Sequence, residues 1–438
     1  MYITSLKRAR KSGSLVAVGA LLVSALSATS PAAAVQQAAS SPCAHADATA
    51  VVGWNALASS VVGTDNGLPA PTMSVVMSYV QSAVYNAVAG IEGGRPLYHW
   101  RARGPRCASS DAAVATAVRA VLLHYFPSSA ARLDPAYDAA LAAVPAGPAR
   151  VNGIAFGESA AAHIIDLRAG DGWQAPVAVT LTQQPGEWRP TPPAAAPFLA
   201  PWLGSMKPFL IRSADQFRPA APPRLTSDRY ARDLREVADL GSATSTTRTA
   251  EQTDIARFFG GNLTAQLQAG YRDHITRHHL DAGEAALYLA VGNLTQSDAV
   301  ISSWDAKLTY LFWRPVTAIR LADTDGNALT TADPTWTSLL PAPPFPEYVS
   351  AHTTVMGAVS TALSRLEHTN VIDLNLPSSV TGTTRHYETG AQLRADGIGA
   401  RIWGGIHFRT AGEVGDRMGA ALGCWISNQE PVGGYGRW

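Results

Sequence analysis

Two cations, Lys307 and Arg314, stand seven residues apart in "WDAKLTYLFWRP", with Trp304, Leu311 and Trp313 around them. On a helix, Trp304, Lys307, Leu311 and Arg314 fall at i, i+3, i+7 and i+10, a single face, with the cations two turns or roughly 10 Å apart. Pro315 turns the chain and projects the guanidinium from a helix end. Charges set among aromatics need an anion before they can be buried, so the pair alone reads as two side chains snorkelling from an apolar helix end. In "PFPEYVSAHTT" the prolines stiffen a loop, and Ser350 is placed to cap a helix from Ala351 onward whose buried stripe is Val355, Val359, Ala362, Leu363 and Leu366. Such a helix start leaves the N–H groups of Ala351, His352 and Thr353 facing outward as an anion site. In "ARIWGGIHFRTAGE", Gly404-Gly405 ends a helix after Trp403 and sets His407 on a turn, and Thr410-x-x-Glu413 has the spacing of a capping box.

Read singly, His352 is a first-turn surface histidine, and Arg401 and His407 are loop residues. Read together, the segments supply three fixed cations (Lys307, Arg314, Arg401), Ser350 and a helix N-terminus as donors, and two histidines. That set suits one tetrahedral oxyanion: cations and donors neutralise its oxygens, one histidine bonds the central atom and the other moves protons.

These segments resemble the signature of the vanadium-dependent haloperoxidases and type 2 phosphatidic acid phosphatases, K-x₆-R-P, then P-S-G-H, then R-x₅-H. Lys307 to Arg314-Pro315, Ser350-Ala351-His352 and Arg401 to His407 match in order and spacing, and "SYVQSAVYNAVAGI", "AAHIIDLRAGDG" and "YLFWRPVTAIR" look like the secreted bacterial haloperoxidase-like branch. The resemblance implies an all-α fold of two packed helical bundles. It also implies vanadate, with no haem, as cofactor: His407 as the metal ligand, and Lys307, Arg314, Arg401, Ser350 and the Ala351 N–H on its oxygens. His352 would take a proton from hydrogen peroxide, Lys307 would polarise the peroxide toward attack by halide, and Trp304 and Phe345 would line a halide pocket. Two positions depart from the signature: Val349 stands for its proline and Ala351 for its glycine. Alanine keeps the N–H wherever φ is negative, as at a helix start, but its methyl group narrows the site.

The same residues serve an alternative, an acid phosphatase in which phosphate occupies the site, His407 forms a phosphohistidine, and His352 protonates the leaving group and then activates water. A third reading is a non-catalytic oxyanion-binding helical protein in which Ala351 blocks turnover. The expected small-molecule partners are halide, hydrogen peroxide and an organic acceptor, or a phosphate ester.

Other constellations fall short on spacing. His274 and His278 in "RDHITRHHLD" form an i, i+4 pair with no third ligand in the nearby sequence, so they are expected on a polar helix face with His279. "DTDGN", Asp323 to Asn327, lacks the closing Glu of a calcium loop and reads as a tight turn. Asp298 lies on the apolar stripe of the Lys307 helix and is expected to pair with a core arginine.

The elements that position these residues are helical. Apolar residues recur at helical spacing over 75–91 and 111–126, and again in "DPAYDAALAAV" and "RVNGIAFGESAAAHIIDLRAG", giving an N-terminal helical half over 35–182. A Pro-rich crossover over 183–225 is too aromatic for a floppy linker and belongs on the surface of one body, residues 35–438. The C-terminal half, 226–438, carries the candidate site, with helices expected from about Glu284 to Trp313, Thr353 to Leu366 and Ala411 to Ile426. No internal repeat and no alternating strand ladder is expected.

A formal net charge of +1 in 438 residues leaves no field for nucleic acid or an anionic membrane, so any anion site must be local. Residues 1–34 have the basic start, short apolar stretch and Ala32-Ala33-Ala34 ending of a secretory signal cleaved after Ala34, and Ala9 between Arg8 and Arg10 disfavours a twin-arginine signal. The mature chain is therefore expected to be secreted, with no membrane span. Three cysteines permit one bridge, Cys43 to Cys107, and leave Cys424 in the core.

Overall fold

Helical periodicity becomes thirteen α-helices in the computed structural model, which describes residues 46–429. They are α1 (Thr49–Ser60), α2 (Ala70–Glu92), α3 (Ser110–Tyr125), α4 (Ala130–Ala143), α5 (Pro148–Arg168), α6 (Asp228–Leu240), α7 (Ala250–Phe258), α8 (Leu263–Arg277), α9 (Ala282–Tyr310), α10 (Pro315–Arg320), α11 (Ala351–Leu366), α12 (Gly390–Trp403) and α13 (Arg409–Ile426). The helices α2, α3 and α5 pack as a first bundle, and α11, α12 and α13 as a second. Between them α9 packs on α2 and on α11, which explains why it is buried all round from Ala285 to Lys307 and not along one stripe. Among the described residues no helix is long and apolar enough to cross a membrane.

The closest approach of the second bundle is made by glycine. Gly415, Gly419 and Gly423 recur every fourth residue on α13, and a Cβ at each would run into the carbonyl oxygens of Ser350, Thr354 and Ala358 on α11; at Gly415 the separation would be 2.7 Å. This backbone-on-backbone contact fixes the first turn of α11, with Ser350 and His352, against the first turns of α13, which His407 precedes.

The Pro-rich crossover is laid on the body through backbone bonds: Trp188 N–H donates to Leu311 O (2.6 Å) and Leu199 N–H to Pro344 O (2.8 Å), with Trp188, Trp202 and Phe209 buried beneath. Those bonds also correct the expected helix. At Leu311, which takes a left-handed conformation (φ 43°), α9 ends, and Glu187 then pairs with Phe312 as an isolated bridge. Lys307 and Arg314 therefore do not share a helical face. Arg314 is the residue before α10, with Pro315 at that helix's first position.

Four further expectations are corrected. A two-stranded antiparallel hairpin, β1 (Val371–Pro377) and β2 (Thr384–Thr389), stands between α11 and α12. Its Ile372, Leu374 and Leu376 alternate into the core. His274 is not on a polar face but buried at 1% exposure. Thr410 lies inside α13, whose preceding residue is Phe408, and binds Arg229 Nε through its hydroxyl (2.8 Å) instead of capping. The Asp298 carboxylate, fully buried, accepts from the N–H groups of Phe209, Leu210 and Ile211 (2.7, 2.7 and 2.8 Å), so its hydrogen-bond partners are backbone and not an arginine. Cys107 is disulfide-bonded, Cys424 is a free and only partly buried thiol, and Cys43 and the signal segment lie outside the described residues.

Alanine normally stabilises a helix relative to glycine by about 0.5–1 kcal/mol, and this is the expected sign for Gly53→Ala on the open face of α1, where a Cβ meets nothing within 4 Å. For Gly419→Ala the sign reverses, with a loss of about 1–3 kcal/mol from overpacking against α11. Urea unfolding of the two variants checks the contrast.

Candidate active site

The three motif segments draw on five places in the fold. The last turn of α9 brings in Lys307, the turn into α10 brings Arg314, the first turn of α11 brings Ala351 and His352 behind Ser350, the end of α12 brings Arg401, and the turn between α12 and α13 brings His407. Lys307, Arg314, Ser350, Arg401 and His407 are all buried, and His352 is partly buried.

His407 sits at the centre of the hydrogen-bonding. Its Nδ1 lies 2.9 Å from Glu347 Oε1 and its Nε2 lies 3.0 Å from Arg314 Nη1. Since Arg314 can only donate, the ring is the neutral tautomer with the proton on Nδ1, donated to Glu347, and a lone pair on Nε2. Burial and the cations Arg314, Lys307 and Arg401 all hold the His407 pKa well below the usual histidine range, which keeps that lone pair free of a proton.

Arg314 is anchored by Nε to Phe345 O (2.8 Å) and by Nη1 to Ile406 O (2.7 Å), and its Nη2 has no partner. Arg401 donates from Nη1 to Phe259 O (2.7 Å) and its Nε has no partner. Ser350 occupies the cap position of α11, yet its hydroxyl makes no capping bond and is buried without a partner; so is Nε2 of His352. Ala351 begins α11, so its N–H points out of the helix start as a glycine's would, and its side chain lines the cavity described below. The Tyr348–Val349 peptide, where the family motif has proline, is cis.

Lys307 behaves differently. Its ammonium donates to Pro346 O (2.7 Å), Glu347 O (3.0 Å) and Val349 O (2.5 Å), so all three protons go to the backbone of the motif loop. It contributes positive charge and fixes the loop ahead of Ser350, but leaves no donor free. Burial first, and Arg314 second, pull its pKa well below the lysine range.

Sequence reasoning missed Glu347. Its Oε1 accepts from both His407 Nδ1 and Phe408 N–H (2.9 Å each), and burial pushes the carboxyl up to about 8 against the pull of Arg314. A proton taken up below that pH belongs on Oε2, which has no partner, so both bonds to Oε1 survive. Neutral Glu347 leaves the buried cations unmatched, and burial drives Arg314 down to about 9 and Arg401 to about 10. An anion is what this cluster lacks. The signal in the sequence was an acid in an otherwise apolar Pro-rich loop, three residues before Ser350.

A cavity of about 320 Å³ opens over the cluster, with His352, Arg401 and Ala351 in its wall. Trp304 and Phe345, ring centroids 4.8 Å apart, line it too, and Lys307 Nζ lies 5.1 Å from the Phe345 ring. Most of the remaining wall is apolar, including Leu199, Leu263, Val300 and Val355.

Residues 287–430, which contain every motif residue, match the VCPO second helical-bundle domain. These residues carry that domain of the vanadium-dependent haloperoxidase / type 2 phosphatidic acid phosphatase superfamily. The chain is 24% identical over 281 residues to the vanadium chloroperoxidase of Curvularia inaequalis; the match covers 48% of this chain and 45% of that relative, so it spans about half of the relative's length. Its fold is that of a bacterial vanadium-dependent iodoperoxidase (TM-score 0.77, 23% identity, 88% of this chain and 97% of the other). It is also that of a holo-type bacterial vanadium-dependent chloroperoxidase (TM-score 0.67, 19% identity, 83% and 93%).

Because Glu347 fixes the tautomer of His407, Glu347→Ala is expected to weaken orthovanadate binding about 10- to 100-fold. Glu347→Gln keeps an acceptor oxygen and should stay within a few-fold of the parent. Isothermal titration with orthovanadate checks both.

Proposed function

We propose that this chain is an exported vanadium-dependent haloperoxidase that oxidises halide with hydrogen peroxide. The observation that carries the reading is the set of buried, unpartnered atoms (Arg314 Nη2, Arg401 Nε, Ser350 Oγ, His352 Nε2) beside a histidine whose Nε2 keeps its lone pair. These groups fit a bound vanadate: His407 Nε2 would ligate it, and Arg314, Arg401, Ser350 and the Ala351 N–H would hold its oxygens. Bound vanadate supplies a Lewis acid that activates hydrogen peroxide toward two-electron oxidation of halide.

The protein's own part is proton handling, charge and exclusion of water. The net reaction, peroxide plus halide plus one proton giving hypohalous acid plus water, needs a group that accepts and returns protons at the oxyanion. His352 suits it: burial, then Arg401, Arg314 and Lys307, hold its pKa well below the ordinary value, so it is neutral and able to accept a proton at pH values where a surface histidine is already charged. Lys307 and the two arginines stabilise negative charge beside a cavity whose wall is largely apolar. Trp304 and Phe345 offer an apolar, cation-backed recess for a weakly hydrated halide, and the apolar cavity beyond has room for an organic acceptor. Export rests on the reading of residues 1–34 as a secretory signal.

The same histidines would serve an acid phosphatase, with His407 Nε2 as nucleophile, and one experiment separates the readings. The mature chain is dialysed with and without orthovanadate and assayed for dye bromination with peroxide beside phosphate-ester hydrolysis. Bromination that requires vanadate is expected, lost in His407→Ala and reduced about 10²–10³-fold in Arg401→Ala. The acid limb of kcat/KM should fall below the usual histidine range. Hydrolysis that vanadate inhibits would establish the phosphatase instead, and anion binding without either activity would leave a binding protein.

A further inference from the structure

The histidine pair at the end of α8 acquires in space the third ligand that its local sequence lacks. His274 and His278 stack with ring centroids 4.2 Å apart. Across from them the bulge in β1, between Val371 and Leu374, holds Asp373 in a left-handed conformation (φ 40°) and turns it back toward α8. Asp373 Oδ2 lies 2.6 Å from His278 Nε2, and Asp373 O lies 3.3 Å from His274 Nδ1. One nitrogen from each ring and a carboxylate oxygen of Asp373 all lie within 4.8 Å of one another.

The buried ring of His274 carries the argument. Its Nε2 lies 2.9 Å from Glu367 Oε1, at the end of α11, and donates its proton there. Nδ1, the ring's other nitrogen, faces Asp373 on the opposite side. Arg277 flanks the cluster, with Nη1 and Nη2 each 2.6 Å from Asp373 Oδ2 and O respectively. An ion held by a histidine whose other nitrogen donates to a carboxylate is the usual arrangement at zinc sites.

We propose that His274 Nδ1, His278 Nε2 and the Asp373 carboxylate bind a divalent transition-metal ion of the zinc type, with Glu367 orienting His274. Tetrahedral zinc with bonds of about 2.0–2.1 Å holds its ligand atoms roughly 3.3 Å apart, so His278 Nε2 and Asp373 Oδ2, now 2.6 Å apart, must open while the wider separations, up to 4.8 Å, close. His278, partly exposed, has the freedom to do so. Arg277 is the competitor: it neutralises Asp373 without the ion and has Asp273 Oδ2, 2.7 Å away, to hold it when the ion arrives. Asp373, His386 and Glu388 form a second possible set on the hairpin, and since both sets use Asp373 they compete for it. The ion would tie α8 to the hairpin that leads into α12, independently of the chemistry at His407.

The test uses the full mature chain, stripped with a chelator, in buffer free of phosphate and vanadate, titrated with zinc chloride alone against a chromophoric zinc indicator. One zinc per chain is expected, with a raised unfolding temperature. Affinity should fall at least ten-fold in His278→Ala and in Asp373→Asn, and rise several-fold in Arg277→Ala. Circular dichroism verifies folding of each variant, and if Asp373→Asn does not fold, His278→Ala decides alone. The proposal is overturned if no zinc binds, if binding is indifferent to His278→Ala, or if it disappears in His407→Ala, which would put the ion in the oxyanion cluster. Because the readout is zinc binding, none of these outcomes bears on halide oxidation.

Discussion

Three cationic side chains buried within one cluster are the constraint around which the second bundle is organised. Desolvating Lys307, Arg314 and Arg401 costs several kcal/mol each, and Glu347, the acid that the described residues place among them, is itself driven toward its neutral form by burial. The fold offsets this with backbone dipoles. Six carbonyls, of Phe259, Phe345, Pro346, Glu347, Val349 and Ile406, accept hydrogen bonds from the three side chains. Those carbonyls come from α7's end, the motif loop and the turn before α13, so the cations also hold together segments far apart in sequence. What the carbonyls leave unmatched, an oxyanion would match.

Within that cluster the side chains divide their work. Lys307 gives all its protons to the loop ahead of Ser350 and so acts through the loop's shape and through charge. Arg314 and Arg401 each use some donors for anchorage and keep another free, the arrangement that makes a guanidinium both rigid and available. Glu347 acts on His407 alone, selecting the tautomer. The glycines of α13 permit all of this by letting its backbone meet that of α11, which Ser350 precedes and whose first turn holds His352.

Much of this was legible in the sequence, for physical reasons. The motif residues could be placed because Pro315, the helix start at Ala351 and Gly404-Gly405 each impose a local conformation regardless of context. The long buried helices could be placed because apolar periodicity survives packing. Arg314 was misplaced because α9 ends through a hydrogen bond to Trp188, some 120 residues earlier, which no local pattern encodes. The hairpin was overlooked although Ile372, Leu374 and Leu376 alternate as a half-buried strand should; seven residues among helices gave the pattern little weight. Glu347 and the Asp373 partner of His278 share one cause: a side chain's role was set by a residue 60 or 95 positions away.

The central claim is that His407 and the unpartnered atoms around it form one anion site, and a crystal structure of the mature chain grown with orthovanadate tests it most directly. The expected result is a vanadium atom bonded to His407 Nε2, with its oxygens in hydrogen-bonding distance of Arg314 Nη2, Arg401 and Ser350 Oγ. A cluster unchanged and without anion at saturating orthovanadate, or vanadate bound only elsewhere on the protein, would contradict it.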